Sequence, residues 1–305
     1  MSLSSDTASA VSAEVPATGH PIPPQPWMPV LPRAEIEREL KKLQPEIAWT
    51  HLFKLDEDFW TIQPGTPRYF QKSLGLRVMG EQMLKAVPFI TRKADVRQLR
   101  VLDLASAEGG HSVEFAAAGA KEVLGIEGRD LYVQRSTFMA RCFGLNNVRF
   151  EKGDVRKVDP AQVGKFDLVL FYGILHHLAA EDFLPMLRLL QQLTGDTMIL
   201  FTHTAGKGAD VKFGERLSDT VQIEGGRFSG RLYREHPDGM TQEQKDKRVR
   251  SSLDNNTSFW PSEPSLVKAL REVGFNHISR QMEPTPYGNP SEEFRVYYVC
   301  RVAQP

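Results

Sequence analysis

The chain has little cysteine, no excess charge and no long apolar run, and each shortage excludes a class of protein. Two cysteines, Cys142 and Cys300, among 305 residues form neither a disulfide framework nor the spacing of a zinc site. We therefore expect a reducing compartment. The longest apolar run, near residues 168–175, is too short to span a bilayer, so no membrane partner is expected.

Neither sign of charge dominates, since 38 Lys and Arg residues balance 38 Asp and Glu residues. Proteins that hold nucleic acid through its phosphates usually carry a positive surplus, so a nucleic-acid partner is not expected, although a local basic patch stays possible. No Lys or Arg precedes Arg33, which argues against a secretory leader and an Arg-rich transit peptide. The expected location is the cytosol, and the oligomeric state stays open.

Composition along the chain predicts three parts. Residues 1–33 are rich in proline, which removes a backbone donor and fixes φ, so we expect a disordered tail. Residues 34–97 carry helical patterns, the second of them ending before Pro88, and are predicted to form a helical cap. Residues 98–305 form the main domain, whose ordinary apolar content of 41% over the whole chain suffices for a core.

The main domain alternates strand and helix patterns. The predicted strands are five central runs at 99–105, 121–127, 148–154, 166–174 and 197–204, and two closing runs at 277–282 and 295–302. Parallel strands need crossover helices, so this alternation predicts an α/β fold with a doubly wound, mostly parallel seven-stranded sheet. The polar, glycine-rich residues 206–258 follow the fifth strand and are predicted to be an insertion that lies over the ligand edge of the sheet, as a lid on the substrate.

Ligands of open α/β sheets bind beyond the carboxyl ends of the strands, so the residues that follow each strand are the informative ones. They are Asp103, Ala105, Ser106, Gly109 and His111 after the first strand, Glu127 after the second, Asp154 and Val155 after the third, and Tyr172, His176 and His177 after the fourth. A carboxylate at Glu127 can accept both hydroxyls of a ribose. These residues therefore indicate a nucleoside-containing cofactor.

Two classes of cofactor share this geometry. A dinucleotide enzyme needs G-x-G-x-x-G so that a pyrophosphate can lie on the helix N-terminus. Here Ala105, Ala107 and Gly110 take those places, and the acidic Glu108 is expected to face the phosphates. S-adenosylmethionine (SAM), which has a positive sulfonium and no phosphate, tolerates such acids better.

In this order and spacing the motifs resemble those of the class I SAM-dependent methyltransferases, over residues 98–205. The segment VLDLASAEGGHS is similar to their motif I, with Asp103 as its acid; IE at 126–127 is similar to the ribose-binding acid; GDV at 153–155 is similar to the acid that contacts the adenine amine; and FDLVLFYGILHHL is similar to the strand-four motif and its loop. The resemblance implies a Rossmann-like methyltransferase fold with SAM as cofactor. In the family pattern D-x-G-x-G-x-G, this chain keeps only Gly109 and has Ala105 and Ala107 instead of the other glycines.

A finer similarity covers WTHLFKL at 49–55 and residues 255–275. These stretches resemble a subgroup related to the tRNA wobble-uridine carboxymethyltransferases and to small-molecule methyltransferases. The cofactor contacts that the whole resemblance implies are Asp103, Ala105, Ser106, Gly109, His111, Glu127, Asp154, Val155 and Tyr172.

Histidine is the usual general base near neutral pH, and three histidines stand near the expected methyl position. His177 and His176 follow the fourth strand and His203 ends the fifth, so all three are candidate bases; capping, closing the adenine pocket or core packing are the alternatives. Candidate acceptor contacts in and after the insertion are Arg231, Tyr233, Arg234 and Trp260, because guanidinium groups bind carboxylate or phosphate and rings stack on planar molecules. A solvated loop is the alternative, and no metal site is expected.

These observations predict a SAM-dependent methyltransferase that acts on a small molecule at an oxygen. Three other functions stay open from sequence: a tRNA- or RNA-modifying methyl or carboxymethyl transferase, a dinucleotide oxidoreductase, and a SAM-binding protein without turnover.

Overall fold

Ten strands and nine helices lie in residues 24–63, 67–281 and 293–303, which the computed structural model describes, with only the backbone of residues 67–72. The strands are β1 Arg100–Leu104, β2 Glu122–Glu127, β3 Val148–Lys152, β4 Phe166–Tyr172, β5 Thr194–His203, β6 Leu217–Ile223, β7 Phe228–Arg234, β8 Thr257–Pro261, β9 Phe275–Gln281 and β10 Arg295–Val302. The helices are α1 Arg33–Leu40, α2 Pro67–Ile90, α3 Gly110–Ala117, α4 Asp130–Cys142, α5 Pro160–Val163, α6 Phe183–Leu193, α7 Ala209–Phe213, α8 Gln242–Asp246 and α9 Glu263–Glu272.

Seven strands form the central sheet in the order β3-β2-β1-β4-β5-β10-β9. The pairs from β3 to β5 are parallel, whereas β10 runs antiparallel to both β5 and β9. The predicted doubly wound, mostly parallel sheet is therefore confirmed. Because β1, β2 and β4 have helices on both faces, they are buried along almost their whole length and not at alternate residues only.

Side chains of the central strands feed two separate cores, one on each face of the sheet. Leu102 and Phe171 point to the face that α6 and α9 cover. Val101 and Leu168 point to the opposite face, where α2 and α3 pack. Successive residues of a strand point to opposite faces, and this alternation produces the two cores. The polar residues that follow each strand lie at the sheet's carboxyl edge.

The N-terminal cap packs on α4 and is longer than the sequence indicates. Residues 24–32, inside the predicted tail, lie against the body: the Gln25 side chain bonds both the backbone N–H and the carbonyl of Lys54, and the Val30 amide donates to the Cys142 carbonyl at 2.8 Å. Residues 1–23 of the predicted tail lie outside the described residues. The two cysteines, Cys142 and Cys300, are buried free thiols.

The prediction that the second helix of the cap ends before Pro88 is wrong, because α2 continues through this proline to Ile90. Near the end of a helix a proline removes one hydrogen bond and leaves little helix beyond it to disturb. The helix then closes on Thr91, whose amide and hydroxyl both donate to the Val87 carbonyl. Within the described part of the chain, no helix is both long and apolar enough to span a membrane.

The insertion after β5 has regular structure of its own. It contains a second sheet, in the antiparallel order β6-β7-β8, and β8 extends beyond residue 258. Two runs of strand-forming residues flank Gly225 and Gly226, which is the pattern of a hairpin, but the many charged residues of the insertion obscured it. Residues 251–256, the segment that leads into β8, are held by this small sheet over the carboxyl edge of the main sheet.

Candidate active site

The loop after β1 takes a tight left-handed path. Ala105, Ala107 and Gly109 have φ angles of +58°, +48° and +76°. Residues with a Cβ rarely adopt positive φ, so both alanines hold the backbone shape that glycine usually provides. The Ser106 amide fixes the loop by donating to the Ile126 carbonyl at 3.1 Å. The alanines thus do not remove the shape of motif I.

Glu127 ends β2 with its carboxylate inside the rim that the strand ends form. One oxygen accepts the Ala107 amide at 2.9 Å and the other accepts the Arg129 amide at 2.8 Å. The residue is 4% exposed, and burial raises the pKa of its carboxyl. Each carboxylate oxygen has room for a second donor, so two hydroxyls can still bind here.

Asp103 is the second buried carboxylate of the rim. Its carboxylate accepts the Ser112 hydroxyl at 2.6 Å, and burial raises its pKa against the opposing influence of His111. Two buried acids repel phosphate and attract a cation. Among the described residues, the Ser106 hydroxyl and His111 Nε2 are buried without a hydrogen-bond partner. These observations fit a cationic, hydroxyl-bearing cofactor such as SAM.

Glu108 does not face the rim, so the expectation that it would meet phosphates is wrong. Its carboxylate accepts the amides of Thr50 and His51 at 2.7 and 2.8 Å, and pairs with the guanidinium of Arg135 at 2.7 Å. Burial would raise the pKa of this carboxyl, but His51 and Arg135 outweigh burial and lower it. Glu108 therefore anchors the N-terminal cap to the cofactor loop.

Asp154 follows β3, as predicted, but Arg156 binds both of its carboxylate oxygens at 2.9 Å. Burial would raise the pKa of Asp154, and the hydrogen bonds from Arg156 outweigh it, so the pKa is lowered. Val155 points into the core. Tyr172 ends β4 with its ring 5.0 Å from the His111 ring. Of these predicted contacts, His111 and Tyr172 lie together, and Asp154 lies in an ion-pair cluster.

Two side chains from outside the main sheet cover the rim. A Cβ on Gly110 would lie 2.1 Å from the His51 ring, and a Cβ on Gly128 would lie 2.7 Å from Leu253 Cδ2. The cavity beside Gly110 and His111, between the cap and α3, holds about 10 Å³. The cap and the insertion thus both reach the rim, the cap at Gly110 and the insertion at Gly128.

His177 forms the most distinctive polar contact near the rim. Its Nδ1 lies 2.8 Å from Glu235 Oε1, and its side chain is 20% exposed while Glu235 is 1% exposed. The Ser252 amide and the Ser258 hydroxyl also donate to Glu235, at 3.1 and 2.8 Å. Burial would raise the pKa of Glu235, but His177 outweighs it, so the pKa is lowered. The sequence analysis missed Glu235, which lies 58 residues from His177 with no motif around it.

The two other candidate bases are packed behind His177. The rings of His176 and His203 stack at 3.8 Å, and burial lowers the pKa of each well below its ordinary value. His176 Nδ1 accepts the His203 amide at 3.2 Å, and the Trp260 indole donates to the His176 carbonyl. Both imidazoles are thus engaged in packing and in contacts with the protein, and the arrangement favours His177 as the base.

The predicted acceptor contacts lie mostly within the small sheet and its packing. The Tyr233 and Trp260 rings stack on each other at 4.6 Å and both are buried. Arg231 pairs with Asp210, and Arg234 is exposed at the end of β7. None of the four is placed against the rim by these contacts, so their role in acceptor binding stays a prediction. Across residues 24–63, 67–281 and 293–303, no three His, Cys, Asp or Glu residues are grouped so as to hold a metal.

Comparison with known proteins agrees with this geometry. The chain matches the methyltransferase domain family over residues 95–252, which is more than half of its length. Its structure is similar to the N-terminal domain of EvdMO1 with SAH bound, at 24% identity and a TM-score of 0.66, covering 90% of this chain and 98% of that one. No curated protein sequence matches it significantly.

A second similar structure is the magnesium protoporphyrin IX methyltransferase ChlM from Synechocystis PCC 6803 with bound SAH. It is 17% identical, with a TM-score of 0.51, and the match covers 88% of this chain and 100% of that one. The chain belongs to the methyltransferase domain family: it is a class I SAM-dependent methyltransferase. The sequence-based expectations of the family and of SAM as cofactor are confirmed.

Proposed function

We propose that this enzyme methylates a hydroxyl oxygen of a small molecule, with His177 as the general base. The hydrogen bond between His177 Nδ1 and Glu235 carries the proposal, because it leaves Nε2 on the opposite side of the ring for the acceptor. A hydroxyl needs a base when it attacks a methyl group, whereas an amine that is already neutral does not. The partly exposed imidazole is therefore best explained by an oxygen acceptor.

The cofactor contacts proposed for SAM follow from the polar groups of the rim. Glu127 would accept the ribose hydroxyls of SAM. Ser106 and His111 would bind the amino-acid end of SAM near the start of α3. Asp103 would balance positive charge at the same end. When bound, SAM supplies an electrophilic methyl group on a sulfonium.

Proton transfer rests on His177 and on the residues that surround it. His177 takes the hydroxyl proton at Nε2 while its Nδ1–H donates to Glu235, which stabilises the resulting imidazolium. The Ser252 amide and the Ser258 hydroxyl hold that carboxylate in place. Burial lowers the pKa of His176, which disfavours a second positive charge next to His177.

The proposed function is tested by the fate of a labelled methyl group. The enzyme is incubated with methyl-labelled SAM and, in parallel, with a metabolite extract, with D-fucose as a simple sugar, and with tRNA. D-fucose is included because it is present in one structure of the similar EvdMO1 domain. We expect label in low-molecular-weight product, and carbon NMR should identify the new group as an O-methyl ether. Label in tRNA or on nitrogen would contradict the proposal.

Binding of SAM is expected to weaken as the pH falls. The loss of affinity should begin at a higher pH than it would if the carboxyls of the site had ordinary pKa values. Burial raises the pKa of both Asp103 and Glu127, so these groups lose their negative charge early during acidification. Without that charge the rim no longer attracts the sulfonium and ammonium of SAM. Calorimetric titrations across pH measure this. SAH shares the ribose and the ammonium that Glu127 and Asp103 are proposed to bind, so its affinity should fall over the same pH range. An affinity for SAM that stays constant down to the pKa of an ordinary carboxyl would contradict the assignment.

A further inference from the structure

The segment Ser251–Asp254 of the insertion lies against the end of β2, next to the proposed ribose site. Gly128 follows Glu127 directly and has no side chain, and Leu253 Cδ2 fills that space, 2.7 Å from where a Cβ would stand. Leu253 is only partly buried, so part of its apolar surface stays open at the rim. An apolar side chain that stays partly open at a polar rim indicates that an apolar part of a ligand packs against it.

Charged groups from the main sheet hold this segment in place. The Arg129 guanidinium donates to the Ser251 carbonyl at 3.0 Å. Arg156, which binds Asp154 at the end of β3, also pairs with Asp254. The loops after β2 and β3 are thus both tied to the same four residues of the insertion.

We propose that Leu253 forms one wall of the adenine pocket, so that the insertion completes the cofactor site. The inference rests on the proposed placement of the ribose at Glu127. From there the adenine would lie close to the loops that hold Gly128 and Gly153, next to the Leu253 side chain that covers Gly128. One face of the adenine then packs on Leu253, and Arg129 and Arg156 keep that wall in place by holding Ser251 and Asp254.

The same segment also contacts Glu235, the hydrogen-bond partner of the proposed general base. The Ser252 amide donates to Glu235 at 3.1 Å, and the Ser252 carbonyl lies 2.9 Å from His236 Nε2. Ser252 and Leu253 are adjacent, so the residue that covers the adenine is one peptide unit from the residue that holds the carboxylate behind His177. The insertion therefore connects cofactor binding to the alignment of the base.

Titration of the full-length protein with SAH tests the wall. We expect Leu253→Ala to weaken SAH binding by about tenfold, since several apolar groups no longer pack on the adenine ring. The matched control is Leu232→Ala, the same substitution in β7 of the insertion. Leu232 packs on the main core. We expect it to leave SAH affinity unchanged, and thermal unfolding of both variants checks that they fold.

Two further variants decide between the possible outcomes. Asp254→Asn breaks the pair with Arg156 and should weaken SAH binding a few-fold. Unchanged or tighter binding in Leu253→Ala would overturn the proposal that Leu253 forms a wall of the adenine pocket. Unchanged binding would mean that the leucine does not contact the ligand, and tighter binding that it occupies the ligand's place. Glu127→Gln separates the failures: if it weakens SAH binding while Leu253→Ala does not, only the wall is wrong. If neither variant weakens binding, the placement of the cofactor is wrong as well.

Discussion

Replacing His177 with asparagine is expected to lower turnover by about 10² to 10⁴, the usual contribution of a general base, while SAH affinity stays unchanged. Asparagine can keep a hydrogen bond to Glu235 but cannot take a proton from a hydroxyl. Single-turnover methyl transfer and SAH titration measure the two quantities separately. The split between them distinguishes a base from a packing residue, which was the alternative that the sequence left open.

Two companion variants sharpen this experiment. His277→Asn makes the same substitution at an exposed position of β9 and should leave turnover unchanged. Glu235→Gln should lower turnover less than His177→Asn does, because the imidazole remains and loses only its charged partner. An equal loss of turnover and SAH affinity in His177→Asn would place this residue in the cofactor pocket and leave the oxygen acceptor without its main support.

Glu108→Gln is expected to reduce the free energy of unfolding by about 3 kcal/mol. The side chains of Glu108 and Arg135 are both 0% exposed, so the substitution leaves a buried guanidinium without its counter-ion. Glutamine keeps the shape of the side chain but replaces one accepting oxygen with an NH2 group, so a hydrogen bond is lost together with the charge. Urea unfolding measures the difference, and Glu243→Gln, an exposed ion-pair partner of Lys247, is the control in which no change is expected.

The same substitution has a pH signature with a definite sign. The pKa of Glu108 is lowered in the folded protein, so its contribution to stability is present at neutral pH. It is lost as the pH falls through that lowered pKa. The stability difference between the wild type and Glu108→Gln should therefore shrink on acidification, and a constant difference would show that the ion pair is not its source.

Much of the fold could be predicted from the sequence because the central strands are buried on both faces. Such strands are short continuous apolar runs, and the residues that end them, Asp103 and Glu127 among them, meet at one edge whatever else the chain does. The family motifs lie on this edge, so the cofactor class followed from the order of a few residues.

The rest depends on contacts between residues that are far apart in sequence. Glu235 is recognisable only once the small sheet brings it to His177, and its own neighbours carry no pattern. Glu108 stands in the motif loop, but its direction depends on Arg135 and on the cap residues Thr50 and His51. Residue type and spacing therefore indicated where chemistry occurs, and packing decided which carboxylate takes part.

The alanines of the motif I loop have a consequence for the energetics of ligand recognition. Glycine at positions 105 and 107 would let the empty loop sample many backbone conformations, and a ligand would then have to select one of them. Alanine disfavours the positive φ that both positions hold, so the folded contacts around the loop offset a strain that glycine would not carry. The motif I loop of this chain therefore stores backbone strain beside the proposed cofactor site.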